Sequence, residues 1–202
     1  ENMVGRSRAY WDYCFPKLVN TLHQFEDMSL DTFYLGLHRV QPSLKRIASD
    51  EVTYSLHAIL RFELERDYFA GKLRAEDMAQ AWNQKYQDYL GLCPPDDTQG
   101  VLQDMHWAGD YIGYFQSYAL GNIYDGQILQ ALERDKPDWQ ADIRRGKFGP
   151  LNDWMRENIW SHGCCLTAGE LVKQITGSSL DARPFLKYLD EKYSPIYGLA
   201  PQ

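Results

Sequence analysis

Cysteine is scarce in this chain of 202 residues, and the four present are poorly spaced for cooperative chemistry. Cys14, Cys93, Cys164 and Cys165 include one vicinal pair, but neither a disulfide framework nor paired C-x-x-C zinc loops can be read from them. Reduced thiols and a cytoplasmic location are the simplest expectation. Basic side chains are outnumbered, 21 against 28 acidic, and the formal charge is −7. Phosphate neutralisation needs a positive surface, so nucleic acid is excluded as a partner. No apolar run reaches the roughly eighteen residues of a membrane span, which excludes an integral membrane protein. Alternating strand-like runs between turn residues are also missing. The first residue is Glu1, set in the polar-apolar pattern of a helix interior with no initiator Met, cap or targeting segment before it.

What is present is a hydrophobic period close to 3.6 along nearly the whole chain, which predicts an all-α fold. Hydrophobic residues at 44% against 24% charged place the chain among globular proteins rather than disordered ones. No repeat or low-complexity tract divides it, so residues 1–202 read as one multi-helix body with no internal boundary. The first helix is expected from the N-terminus to about Phe25, kinked or split by Pro16. Ser29 caps a short helix through Leu37, and Pro42 makes the stretch from Val40 to Ser49 irregular.

Ser49 or Asp50 can open the next helix, to about Tyr68. Val52, Leu56, Ile59, Leu60 and Leu64 form one side of it; Tyr54, His57, Arg61 and Glu65 form another. On that pattern His57 and Arg61 read as an interface or solvated pair. A helix over Ala75–Leu90 stops at Gly91, and Pro94 to Gly100 is a loop. A long helix follows from Asp110 to about Arg134, then shorter ones starting at Pro137, Leu151, Thr167 and Ala182, with Gly163 and Gly177 as stops.

Three glycines, Gly113, Gly121 and Gly126, fall within the expected long helix, each costing about 1 kcal/mol relative to alanine. Gly113, Ser117 and Gly121 recur at four-residue spacing and would form a flat strip, with Tyr111, Tyr114 and Tyr118 beside it. Just upstream, Gly100-Val101-Leu102-Gln103-Asp104-Met105-His106-Trp107 sets an acid two residues before a histidine and an indole after it. Polar neighbours can hold such a histidine in one tautomer and leave the other nitrogen free to donate. With Tyr114, His106 becomes a candidate couple for stabilising an oxyanion.

Gly100-x-x-Gln103-Asp104-x-His106-Trp107, with Gly113-Tyr114-Phe115 and Tyr118-x-Leu120-Gly121-Asn122 after it, resembles the G-x-x-Q-D-x-H-W signature of the carboxypeptidase Taq family of metallocarboxypeptidases. Arg46-x-x-Ser49-Asp50-Glu51-Val52-Thr53-Tyr54 resembles the family's I-R-x-x-A-D motif, with Lys45 and Ser49 in place of the usual Ile and Ala. Glu1-Asn2-x-Val4-Gly5-Arg6-Ser7 is similar to the segment just after the family's third metal ligand. The tail, with Thr176-Gly177 and Phe185-Leu186-x-Tyr188-Leu189-x-x-Lys192-Tyr193, is similar to its C-terminus.

The resemblance implies the C-terminal part of a larger helical metallopeptidase with an active-site cleft, releasing single residues from peptide C-termini with broad specificity. It implies zinc or cobalt, held by two histidines of H-E-x-x-H and a later glutamate, with the motif glutamate as general base. This chain has no H-E-x-x-H, and the third ligand would fall upstream of Glu1. No metal ligand is therefore assigned within the chain, and the fragment alone is expected to be inactive.

By the same resemblance Arg46 would bind the terminal carboxylate, for which a guanidinium fork is well shaped. His106 and Tyr114 would stabilise the oxyanion, Asp104 would orient His106, and Gln103, Trp107 and Tyr118 would shape the substrate wall. Asp50 is either a helix cap or a supporting residue. The implied partners are a peptide C-terminus, the remaining N-terminal part of the protein and a second copy in a homodimer. Two alternatives stand beside this reading: a non-catalytic helical binding or scaffold module derived from the enzyme, and an unrelated all-α interaction domain. A chain that is one part of a larger body should also expose an unusually apolar face.

Overall fold

A computed structural model describes residues 1–200, and its element order is helical throughout, with no strand among the described residues. The all-α expectation therefore holds. The chain folds as two compact units, one formed by Glu1–His38 together with the chain from Ile123 onward, the other by Arg39–Asn122.

The first unit begins with turns, not with helix. Helix α1 spans Arg8–Thr21, and the Ser7 hydroxyl caps it by accepting from the Tyr10 amide. A helix starting at Glu1 is thus overturned, because the cap at Ser7 fixes the entry. Pro16 lies inside α1 without ending it, and a separate 3-10 turn at His23–Phe25 follows. Helix α2, Leu30–Leu37, is capped by Ser29 as its sequence predicts.

The second unit carries helix α3, Tyr54–Phe69, and helix α4, Met78–Leu90. Asp50 Oδ1 accepts from the amides of Val52 and Thr53 at the approach to α3, which satisfies donors that a helix start leaves open. Gly91 ends α4 in the left-handed region at φ 68. The core of this unit is Leu60, Leu64, Trp82, Tyr86 and Leu90. From Gly91 to Phe115 the chain is mostly turns and one 3-10 segment, Trp107–Gly109.

Helix α5 spans Gln116–Asp135 and so starts six residues later than Asp110. Asp110 itself takes φ 59 and Gly113 φ 72, conformations that a helix cannot include. The expected strip of Gly113, Ser117 and Gly121 is accordingly absent, and a Cβ added at Gly121 would meet nothing within 4 Å. The close approach occurs one turn later, where a Cβ at Gly126 would lie 2.6 Å from the Phe185 Cα.

In the first unit follow α6 (Trp139–Arg144), α7 (Gly149–Asn158), α8 (Ala168–Thr176) and α9 (Arg183–Tyr197). Thr167 and Glu170 form a capping box at α8, and Gly177 closes it in the left-handed region. Helix α9 runs through Pro195 to Tyr197. Trp139, Ile143, Trp154 and Leu132 centre the core of this unit.

Candidate functional site

The motif residues gather in the second unit around one ionic cluster. Asp104 lies in the turn-rich segment after α4, Arg46 in a 3-10 turn before α3, and Arg61 on α3 itself. Arg46 donates from Nε and Nη2 to Asp104 Oδ1, at 3.3 and 3.0 Å. Arg61 donates from Nε to Asp104 Oδ2 at 2.6 Å. One carboxylate thus serves two guanidiniums. The Arg46 side chain is 6% exposed, Arg61 0% and Asp104 11%, so little water screens these charges.

Burial alone would raise the Asp104 carboxyl, but Arg61 and Arg46 outweigh it and hold it below the usual carboxylate range. Burial likewise opposes the charge on Arg46, and Asp104 reverses the balance and raises its pKa.

Gln103 ties the same groups together. Its Oε1 accepts from the Arg46 amide at 3.3 Å and from Arg61 Nη2 at 2.9 Å. Arg61 Nη1 donates to the His57 carbonyl at 2.7 Å, and its Cζ lies 4.5 Å from the Trp82 ring centre. The Tyr86 hydroxyl donates to the Leu44 carbonyl and has Arg61 Nη2, Gln103 Nε2 and His57 Nδ1 within 3.3 Å, of which its two lone pairs can accept from two at a time.

The two arginines differ in what they leave free. A guanidinium has five N–H donors. Arg61 uses one at Nε and one at Nη1, and Nη2 serves two acceptors, all in a fully buried position. Arg46 uses Nε, Nη2 and, toward the Tyr54 hydroxyl at 3.1 Å, Nη1. Two of its N–H groups remain, one on each terminal nitrogen, and a carboxylate can accept from both. Of the two, only Arg46 can take a ligand without breaking the cluster.

His106 is placed differently from its sequence expectation. Its Nε2 pairs with the Tyr118 hydroxyl at 3.0 Å, whereas Nδ1 lies 3.8 Å from Asp104 Oδ1, beyond hydrogen-bond range. Tyr118, not Asp104, therefore orients the ring, because both Asp104 oxygens are taken by arginines. Tyr118 also lies under Arg46, with its ring centre 4.5 Å from Cζ. Tyr114 is 46% exposed and stacks 5.9 Å from the His106 ring. Trp107 donates to Glu65 Oε1 at 2.7 Å and packs edge-on against Trp82. Asp50 ties the turn that leads into α3, bonding Val52, Thr53 and the Gln41 amide and none of the cluster residues.

Arg61, His57, Glu65 and Tyr86 were not on the sequence-derived site. His57 and Arg61 are fully buried, which overturns the expectation of an interface or solvated pair. The missed signal was spacing: His57, Arg61 and Glu65 repeat at i, i+4 beside Leu60 and Leu64, so a charged stripe shares the core-facing side of α3. Ile59, Phe62 and Phe69 face outward instead.

His57 lowers the acid tolerance of the cluster. Burial first, then Arg61 and Arg46, push its pKa down to about 4. The imidazole is neutral in the fold but takes a proton when unfolded below about 6.5, so this contribution is complete above 6.5 and lost as the pH falls to 4. The loss should approach about 3 kcal/mol across that window. Urea denaturation at several pH values should show the slope in the wild type and a flatter one in His57→Asn. An equal slope in both would assign it elsewhere.

The sequence profile of the carboxypeptidase Taq (M32) metallopeptidases matches residues 1–193. The chain belongs to that family. It is 43% identical to thermostable carboxypeptidase 1 of Thermus thermophilus over 198 residues, covering 98% of this chain and 39% of that protein. It is 42% identical to carboxypeptidase 1 of Bacillus subtilis over 200 residues, covering 98% and 40%.

The fold matches the crystal structure of an M32 carboxypeptidase from Deinococcus radiodurans with a TM-score of 0.94 at 44% identity, over 98% of this chain and 40% of that one. It matches a Pyrococcus furiosus carboxypeptidase with a TM-score of 0.93 at 34% identity, over 96% and 39%. The chain spans about two fifths of the length of the relatives it matches. An unrelated interaction domain is therefore ruled out.

Membership of this family implies a metal, but no group of three or more His, Cys, Asp or Glu among the described residues could hold one. Nor, among the described residues, is any helix long and apolar enough to cross a membrane.

Proposed function

We propose that this chain supplies the substrate-carboxylate wall of a metal-dependent carboxypeptidase that releases single residues from peptide C-termini with broad specificity. The observation that carries the reading is the pair of N–H donors left free on Arg46, which Asp104 and Tyr54 hold in a fixed plane. A terminal carboxylate bound there is recognised by charge and by geometry together, and an internal peptide bond offers neither. The exposed phenol of Tyr114 lies beside Arg46's ring partner Tyr118 as a donor toward charge developing on the scissile carbonyl, and His106, whose Nε2 pairs with the Tyr118 hydroxyl, stacks against it and holds the two phenols in place. Gln103 and Trp107 fix the turn that carries His106.

A zinc or cobalt ion bound elsewhere in the complete enzyme would supply the activation of water, and this chain's residues would bind and orient the substrate. The exposed apolar side chains Ile47, Leu102, Met105 and Ile112 lie on the two segments that carry Arg46 and His106, as a covered face of a larger enzyme would require. The partners on this reading are the substrate peptide, the rest of the same protein and a second copy, in the cytoplasm.

The test compares substrates. The full-length, metal-loaded protein should cleave the last residue from a free-acid peptide and leave its C-terminal amide uncut, while the 202-residue chain with added zinc or cobalt should cleave neither. Cleavage by the isolated chain, or equal turnover of acid and amide, would sink the proposal. Full-length protein that binds peptides but never cleaves them would favour the scaffold reading.

A further inference from the structure

The geometry points to Arg61 as a positioning residue that keeps one uncompensated positive charge at Arg46. This rests on the carboxypeptidase reading above and adds to it how the carboxylate site stays charged. Arg46 and Asp104 alone would form a neutral pair, with the carboxylate free to turn both oxygens toward Arg46. A neutral pair, nearly out of water, attracts a second carboxylate poorly, since the incoming anion meets Asp104 as well as Arg46.

In the structure Arg61 holds Oδ2 at 2.6 Å and leaves Arg46 only Oδ1. The charges that act on Asp104 are these two guanidiniums. Among these three groups two positive charges and one negative remain, and the surplus can act outward only through Arg46, because Arg61 is fully buried with each nitrogen engaged. Glu65, one turn along α3 from Arg61, keeps its own charge: Oε1 accepts from the Trp107 indole, Oε2 has no partner, and it bonds to neither arginine and is not among the charges that act on Asp104. His57, the other titratable group against Arg61, is neutral above about pH 4 and does not alter the sum.

Arg61 also fixes the direction of the fork. Through Gln103 Oε1 it is linked to the Arg46 amide, so the backbone of the 3-10 turn and the guanidinium are positioned by one buried residue. Asp104 at 11% exposure cannot be rescued by water if that link is lost.

The test is a charge rescue in the full-length protein, read as the dissociation constant of N-benzoyl-phenylalanine and of its amide, together with kcat and KM. Arg61→Met should weaken the free acid about tenfold or more and leave the amide unchanged, with KM rising more than kcat falls. Arg61→Met combined with Asp104→Asn removes one charge of each sign, restores the surplus and should return acid binding to within about threefold of wild type. Arg61→Lys should retain most acid binding, and circular dichroism checks that each variant is folded.

A role in packing alone predicts the opposite order, the double variant being at least as impaired as the single; that result, or unchanged acid binding in Arg61→Met, would overturn the inference. Wild-type protein that fails to prefer acid over amide would overturn the carboxypeptidase reading, and this inference with it. A wild type that prefers the acid, with no rescue in the double variant, would overturn only the role of Arg61.

Discussion

Asp104→Ala is expected to destabilise the protein by about 3 to 5 kcal/mol, the usual cost of deleting one partner from a buried ion pair. The reason is electrostatic more than steric. Asp104 is the counter-ion of both Arg46 and Arg61, which are 6% and 0% exposed and cannot turn into water without opening the α3–α4 core. Its loss leaves two positive charges facing each other in a poorly screened place. Asp104→Asn keeps the shape and one acceptor, so it should cost less than alanine but more than a surface change. Urea denaturation followed by tryptophan fluorescence suits the test, because Trp82 lies against Arg61 and Trp107 beside His106. A loss below about 1 kcal/mol for the alanine variant would mean that the cluster is solvated and weakly coupled.

The second large effect is on activity. Arg46→Met in the full-length protein should lower kcat/KM for a free-acid peptide by about a hundredfold to a thousandfold, which corresponds to losing roughly 3 to 4 kcal/mol of a charged, bidentate contact. Arg46→Lys should recover little of it, since an ammonium has no planar fork and cannot satisfy Asp104, Tyr54 and a ligand in one geometry. The informative control is the dissociation constant of an amidated peptide, which the substitution should barely touch while binding of the free acid weakens. An equal weakening for acid and amide would mean that Arg46 supports the fold and does not clamp the carboxylate. Because Arg46 also bonds Asp104, a modest stability loss is expected alongside, and folded fraction must be measured at the assay temperature.

The two effects separate by residue. Asp104 touches no open donor position and should act first on stability; Arg46 has donors to spare and should act first on substrate. Arg61 lies between them, buried like a core residue yet felt at the site through charge.

The pattern along the chain determined a great deal on its own. Helix existence and type followed from apolar periodicity, and the ends at Gly91 and Gly177 from glycine's tolerance of the left-handed region. Ser29 was legible as a cap because a short hydroxyl at a helix entry has one dominant use, whereas Thr167, read as the first residue of its helix, proves to be its cap. The motif residues Arg46, Gln103, Asp104 and His106 were legible as a group, and the fold brings them together. The start of α5 was not legible: Asp110 and Gly113 fit a helical pattern by residue type, and only their positive φ values excluded them. The exit from turn to helix is set there by Phe115, packed among Arg46, Trp107 and His106, which no local spacing reveals.

Sequence alone thus established an all-helical metallopeptidase relative with a guanidinium and a histidine at its site, because periodicity, caps and motif spacing are local properties. Only the tertiary structure decided who holds whom. His57 and Arg61 look like surface residues in one dimension, since charge on a helix ordinarily faces water. They are buried because a third element, the turn at Gln103 and Asp104, arrives from some forty residues away carrying the compensating carboxylate. Charge compensation across that distance is a property of the folded chain, and it turns an apparent solvated pair into the support of the carboxylate site.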